Sequence, residues 1–314
     1  MNRVLAMGVA FGIGLAASAS MPAAAQSANW PSRPIEFIVP WGPGGGADQT
    51  ARMLGKLLEP PLRVSLPVVN IPGAVGVTGL TKLLTSPADG QYLLLLTADT
   101  VGLHASARQR WSTDDFVPIA VLTQQRSAFF VREGGPLASW AEIEAAARTR
   151  EVKVAVVGLD SPEELAVNFF AKRGLRFTPV PFARPGERYA ALLGGHADVL
   201  FEQAGDIRNF IDGKQIAPVL FFAGARVPEF PAIQTTKDIG IDLVLDQWRA
   251  MVVRAGTSPE QIQILSQRVQ EAVRTPEYVE YLKQIWADDR SYIGPDRAAA
   301  YMRDGLAALQ RIAN

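Results

Sequence analysis

Cysteine is absent from the 314-residue chain, and histidine occurs only twice, at His104 and His196. Without a thiol there is no disulfide, no cysteine nucleophile and no soft metal ligand. Neither histidine has a second histidine or a carboxylate at a spacing typical of a metal site, so no metal is expected. His196 falls in Gly194-Gly195-His196-Ala197-Asp198 and reads as a surface turn residue between a helix and a strand. The chain also lacks a Gly-x-Ser-x-Gly elbow and a Gly-Lys-Ser/Thr phosphate loop, so no catalytic residue is assigned and no enzymatic activity is expected. A charge excess is missing too, since 31 basic residues face 31 acidic ones. With no basic stripe carrying interleaved aromatics, a nucleic-acid partner is not expected.

Long apolar runs are equally scarce. An uncharged apolar run covers residues 4–17, behind the basic Arg3 and ahead of small residues ending in Ala23-Ala24-Ala25. That order is the pattern of a secretory signal peptide over residues 1–25, with cleavage expected after about Ala25 and the periplasm as destination. The run falls short of the roughly 20 residues a membrane span requires. No Cys follows it to take a lipid. Removal of Arg3 leaves 30 basic against 31 acidic residues in a mature chain expected to be soluble. At this length a single core nears its limit, so two lobes are expected.

The body alternates β-like runs with helical patterns, which predicts α/β layers and mainly parallel sheets. Strands are expected at residues 35–39, 64–69, 92–97, 153–157, 177–180, 199–201 and 217–222. A helix over residues 47–58 should stop at Pro60-Pro61, and a short one should cover residues 77–84. Ser161-Pro162-Glu163-Glu164 and Ser258-Pro259-Glu260-Gln261 each combine a Ser cap, a first-position Pro and an acid or amide three residues after the cap. No internal repeat and no Ser/Gly linker is present. The lobes should therefore be joined by ordered crossing strands near residues 118–131 and 243–253. Lobe 1 would then comprise residues 26–122 and 249–314, and lobe 2 residues 123–248.

Gly42-Pro43-Gly44-Gly45-Gly46-Ala47 follows a strand and opens a helix, fitting the weaker form of the dinucleotide fingerprint. Asn70 stands where a ribose-binding acid would be expected, and Asp48 would oppose a pyrophosphate, so no cofactor is assigned. The same segment suits a carboxylate, because the first turn of a helix offers free amides and a positive dipole end. A plain strand-to-helix turn accounts for the spacing equally well. Asp48 reads as a brace for the loop.

The motifs, taken in order, resemble one family. Trp30-Pro31-Ser32-Arg33-Pro34-Ile35, Gly42-Pro43-Gly44-Gly45-Gly46-Ala47-Asp48, Asn70-Ile71-Pro72-Gly73-Ala74-Val75-Gly76 and Pro87-Ala88-Asp89-Gly90-Gln91-Tyr92 are similar to the opening half of the Bug receptors. These are the TctC-type binding subunits of tripartite tricarboxylate transporters. Val180-Pro181-Phe182, Leu192-Leu193-Gly194-Gly195, Asp198-Val199, Pro231, Thr235-Thr236 and the Trp248 strand before Ser258-Pro259 continue the match. The resemblance implies a two-lobed, Venus-flytrap periplasmic binding protein with a small organic carboxylate between the lobes. It implies a monomer that delivers its ligand to the large and small membrane subunits of a transporter. A sensor kinase is the alternative partner, and a dinucleotide-dependent oxidoreductase the more distant alternative function. By position, the backbone-amide and water-bridged contacts to one ligand carboxylate would fall on Trp41, Gly44, Gly45, Ala74, Val75 and Gly76. Thr100 and Val101, on the loop after the third strand, would join them. The opposite lobe would add Ser161, Ala183, Arg184 and Glu202, with Trp248 as a wall.

Several positions depart from that family's usual cleft. Val75 replaces a glycine, Val101 takes a position often held by Ser, and Asp99 adds a charge near the cleft mouth. Ala183-Arg184 stands where Lys-Gly is frequent, and Phe182 lacks the hydroxyl of the usual Tyr. The Arg184 guanidinium could hold a distal carboxylate through two parallel bonds, or pair with Glu187, Asp99 or Glu202, or face water.

Overall fold

Nine strands and ten helices alternate among residues 30–106, 109–288 and 290–313, the part of the chain that the computed structural model describes. The expected signal peptide lies outside the described residues. The first half runs β1 (Glu36–Val39), α1 (Gly46–Leu62), β2 (Val68–Asn70), α2 (Val77–Thr85), β3 (Tyr92–Thr97) and α3 (Ala98–Ser106). The long β4 (Phe116–Arg132) leads into α4 (Trp140–Thr149), β5 (Val152–Val156), α5 (Pro162–Ala171), β6 (Phe177–Pro181), α6 (Pro185–Leu193), β7 (Val199–Gln203), α7 (Arg208–Asp212) and β8 (Ile216–Phe221). The chain then returns through β9 (Asp246–Arg254) to α8 (Pro259–Ala272), α9 (Pro276–Gln284) and α10 (Pro295–Ala313).

The sheet order is β2-β1-β3-β9-β4-β7-β5-β6, with β8 also on β4. The two halves follow one plan although their sequences show no repeat. In one, β1 lies between the parallel β2 and β3; in the other, β5 lies between the parallel β6 and β7. An antiparallel strand flanks each triplet, β9 on β3 and β4 on β7. The start of β4 pairs with β9, from Phe116 opposite Arg254 to Arg126 opposite Asp246, and its end pairs with β7 and β8. β4 and β9 are thus the crossing strands that the sequence predicts. Pro118, which cannot donate to a ladder, sits at a register shift in this pairing.

Burial follows the apolar pattern. Leu93, Leu94, Leu95 and Leu96 of β3 are fully buried, as expected for a strand covered on both faces. In α1, Ala51, Leu54, Leu58 and Leu62 share one helical face and are all buried. This helix extends through Pro60-Pro61 instead of stopping there. The two prolines occupy its last turn, where the carbonyls they leave unpaired belong to the exposed Lys56 and the half-buried Leu57. Arg63 closes the helix in the left-handed conformation, and the Glu59 carboxylate accepts the Leu66 N–H at 2.8 Å. The expected strand at 64–69 is shortened accordingly to Val68–Asn70. The second half is built around Phe129, whose ring lies 4.8–6.4 Å from those of Trp140, Phe170, Phe177, Phe201 and Phe222.

Candidate functional site

In an open parallel sheet, loops diverge where the strand order reverses, leaving a crevice at the carboxyl ends of the strands. Here the reversals fall beside β1 and β3 in one half and beside β5 and β7 in the other. The segments that follow the strands of the two halves meet across a cleft. A Cβ at Gly45 would lie 2.8 Å from Pro185 of α6, and one at Gly102 of α3 would run into Pro162 of α5.

The first turn wraps the start of α1. Gly44 has a left-handed φ of 85°, and Gly45 caps the helix without any side-chain hydrogen bond. The first amides of α1 are therefore left without a side-chain acceptor. Asp48 braces the turn as the sequence predicts: its carboxylate accepts Gly44 N–H at 3.0 Å, Asn70 Nδ2 at 3.0 Å and Arg52 Nε at 2.9 Å. Burial works against this charge, but the bonds from Arg52, Gly44 and Asn70 outweigh it and lower the Asp48 pKa. Glycine at position 46 leaves room for the Asp206 carboxylate and the Arg249 guanidinium, which a Cβ there would displace.

The second turn is strained. Ala74 and Val75 hold φ values of 47° and 52° between Gly73, at a φ of 137°, and the left-handed Gly76. A β-branched residue in this region costs on the order of 1–3 kcal/mol. The Val75 side chain packs across the cleft on Gly158, and its carbonyl accepts the Thr100 hydroxyl at 2.9 Å. Substituting Val75→Gly should relieve the strain, less the extra backbone entropy of glycine, for a net gain of about 1 kcal/mol in the ligand-free protein. Chemical denaturation measures it; a net loss would mean that the Gly158 contact outweighs the strain.

Against the first turn lies a small space of about 40 Å³, lined by charge. Asp99, Glu163, Glu202 and Asp206 face it, together with Arg188 and Arg249. Arg188 of α6 donates to Glu202 at 2.6 Å and to Glu163 at 3.3 Å, and the Tyr189 hydroxyl donates to Glu202 at 3.0 Å. Glu163 also accepts the Val157 N–H at 2.6 Å. Arg249 of β9 bonds Asp206 and Gln125. Asp99, in the first turn of α3, accepts from Gln247 and, at 3.4 Å, from Thr97.

Burial pushes the carboxyls of Glu163, Glu202 and Asp99 above their ordinary values, Glu163 furthest. It also works against the Arg188 charge, but Glu202 and Glu163 outweigh it and raise the Arg188 pKa. Three residues that line this space each carry a buried polar atom without a hydrogen-bond partner: Trp41 Nε1, Arg188 Nε and Asp206 Oδ1.

The sequence-predicted residues divide. Trp41, Gly45 and Glu202 line the charged space. Gly44, Ala74, Val75 and Gly76 belong to the two turns but do not line it. Thr100 and Val101 lie not on a loop but in the first turn of α3, which begins directly after β3. Val101 and Trp248 line a larger neighbouring cavity of about 290 Å³ on the side of α10, which shares Asp99 and Gln247 with the charged space. The Ser161 hydroxyl is used twice, donating to the Gly158 carbonyl at 2.7 Å and accepting Glu164 N–H at 3.2 Å as the α5 cap. Ala183 is exposed, and the 69 % exposed Arg184 side chain lies 3.6 Å from Glu187.

Asp99 corrects an expectation. Only 5 % exposed, it lies inside the cleft and not at its mouth, because α3 starts without a connecting loop. The sequence reading missed Glu163, Arg188, Tyr189, Asp206, Gln247 and Arg249. Glu163 was absorbed into a helix-start signal, and the others carry no local signal. His196 is exposed in its turn, as expected. Among the described residues, no group of three or more His, Asp or Glu could hold a metal, and no helix is long and apolar enough to cross a membrane.

Known proteins share this architecture. The family model described as the tripartite tricarboxylate transporter family receptor, TctC, matches residues 51–304. Protein BugT of Bordetella pertussis is 29% identical over 288 residues, covering 89% of this chain and 87% of its own. A TctC solute-binding protein from Polaromonas, solved with no ligand, is 28% identical with a TM-score of 0.64, over 90% of this chain and 98% of its own. MatC from Rhodopseudomonas palustris, solved with bound malate, is 20% identical with a TM-score of 0.82, over 91% of this chain and 100% of its own. The fold is therefore the two-lobed periplasmic binding-protein fold, and the chain belongs to the TctC family of tripartite tricarboxylate transporter receptors.

Proposed function

We propose that this solute-binding protein captures a small organic carboxylate between its lobes and delivers it to the membrane subunits of a tripartite tricarboxylate-type transporter. In this reading the chain is exported and cleaved after about Ala25. Residues 26–122 with 249–314 form one lobe and residues 123–248 the other. Binding and release, not catalysis, are its work.

The observation that carries the reading is the start of α1. Its first amides have no side-chain cap, and the indole N–H of the 8 % exposed Trp41 is unpartnered beside them. A helix N-terminus with a buried extra donor is suited to an anionic oxygen. The malate held by MatC is a ligand of that chemistry.

A thermal-shift screen of mono-, di- and tricarboxylates and amino acids tests the proposal. At one hundred times the dissociation constant the matching ligand should stabilise the protein by ~2.7 kcal/mol. Trp41→Phe, which keeps the ring and removes the donor, should weaken that ligand by about 0.5–1.5 kcal/mol. No shift with any of these ligands would overturn the carboxylate reading.

A further inference from the structure

The charges around the cleft space do not balance. Four carboxylates, those of Asp99, Glu163, Glu202 and Asp206, face two guanidinium groups, Arg188 and Arg249. Arg188 with Glu202 and Arg249 with Asp206 account for two of the acids. Glu163 still has the far side of Arg188 and the Val157 N–H. Asp99 has only an amide and a hydroxyl, both on Oδ2, and among the described residues it forms no ion pair. A carboxylate held this deep without a cation is costly.

A second observation is independent of that count. Asp206 lines the same space with a side chain only 5 % exposed, and its Oδ1 has no hydrogen-bond partner. An unpartnered carboxylate oxygen asks for a donor, and a carboxylate without a counter-ion asks for a cation. On the opposite count, Trp41 Nε1 asks for an acceptor. The space of about 40 Å³ suits a head group, since one water takes roughly 10–15 Å³ on the same measure.

We infer that the solute is a zwitterion: a positively charged nitrogen, received by Asp99 and Asp206 Oδ1, accompanies the anionic group received by Trp41 and the α1 amides. The inference rests on the reading that this cleft is the solute site. It narrows the ligand from organic carboxylates at large to those bearing an ammonium or guanidinium group. Plain di- and tricarboxylates are disfavoured, because their second carboxylate brings no cation to Asp99.

Calorimetric titration of the wild-type protein with matched pairs tests this. Succinate is compared with aspartate, glutarate with glutamate, and propionate with alanine, with the N-acetylated amino acids as a third set. In the pair that fits the cleft, the amine-bearing member should bind at least tenfold more tightly than its deaminated partner, and acetylation should remove that advantage. Asp99→Asn should bring the ratio towards one. Deaminated acids that bind as tightly as their amine-bearing partners, or an Asp99→Asn protein that keeps the preference, would overturn the zwitterion while leaving carboxylate capture standing. Binding of none of the three sets would overturn both.

Discussion

Replacing Arg188 with methionine should destabilise the folded protein by about 3–5 kcal/mol at neutral pH. Arg188 is the cation shared by Glu163 and Glu202, with all three side chains at most 5 % exposed. Arg188→Met keeps much of the apolar stem and leaves two buried carboxylates facing each other. The sign of the pH dependence follows from their titration. Burial already raises the Glu163 and Glu202 carboxyls above their unfolded values, so the folded state holds those protons more tightly. For such acids, stability is greatest where both states are protonated and declines as pH rises from the unfolded to the folded pKa. Without Arg188 that window extends further upward. The deficit in urea unfolding should therefore be smaller at pH ~5, near the unfolded carboxyl range, than at pH ~8. An equal deficit at both would show that Arg188 acts by packing alone. Adding Glu202→Gln should restore part of the loss, because one unpaired charge is then gone.

Truncating Phe129 to alanine should cost a similar ~3–5 kcal/mol, for an unrelated reason. Phe129 lies at the hub of five other rings in the second half and is fully buried. The lost ring leaves a cavity that neighbours on four different elements and a loop cannot all close. At about 2–4 °C per kcal/mol for a chain of this size, Tm should fall by roughly 10 °C. The half-buried Phe169, which packs on Phe170 at the edge of this cluster, should cost clearly less on the same substitution. Phe129 lines neither the charged space nor its turns, so ligand affinity in the folded Phe129→Ala protein should be unchanged. A Tm no lower than that of Phe169→Ala would refute the hub assignment.

Much of the fold was legible because its signals are local. The Ser258 capping box appears as read, and Ser161 caps α5 as its sequence predicts. β3 matches its expected limits at Tyr92–Thr97, since its buried leucines are continuous. The misplaced features are also local in cause. α1 outran Pro60-Pro61 because proline in a last turn forfeits little, and α3 starts at Ala98 without a turn residue to announce it.

The sequence by itself determined the alternation of strands and helices, the two glycine-rich turns, and the absence of thiol chemistry. It also carried the family resemblance that the match over residues 51–304 bears out. Each of these depends on residue type, or on neighbours within a few positions. Only the tertiary structure decided what faces the charged space. Asp99 meets Gln247 across 148 positions, and Arg249 meets Asp206 across 43. No periodicity or motif spans such separations. The surplus of carboxylate over guanidinium exists only where the ends of the strands meet α6 and β9, and on the proposal made above it is what distinguishes one ligand charge from another.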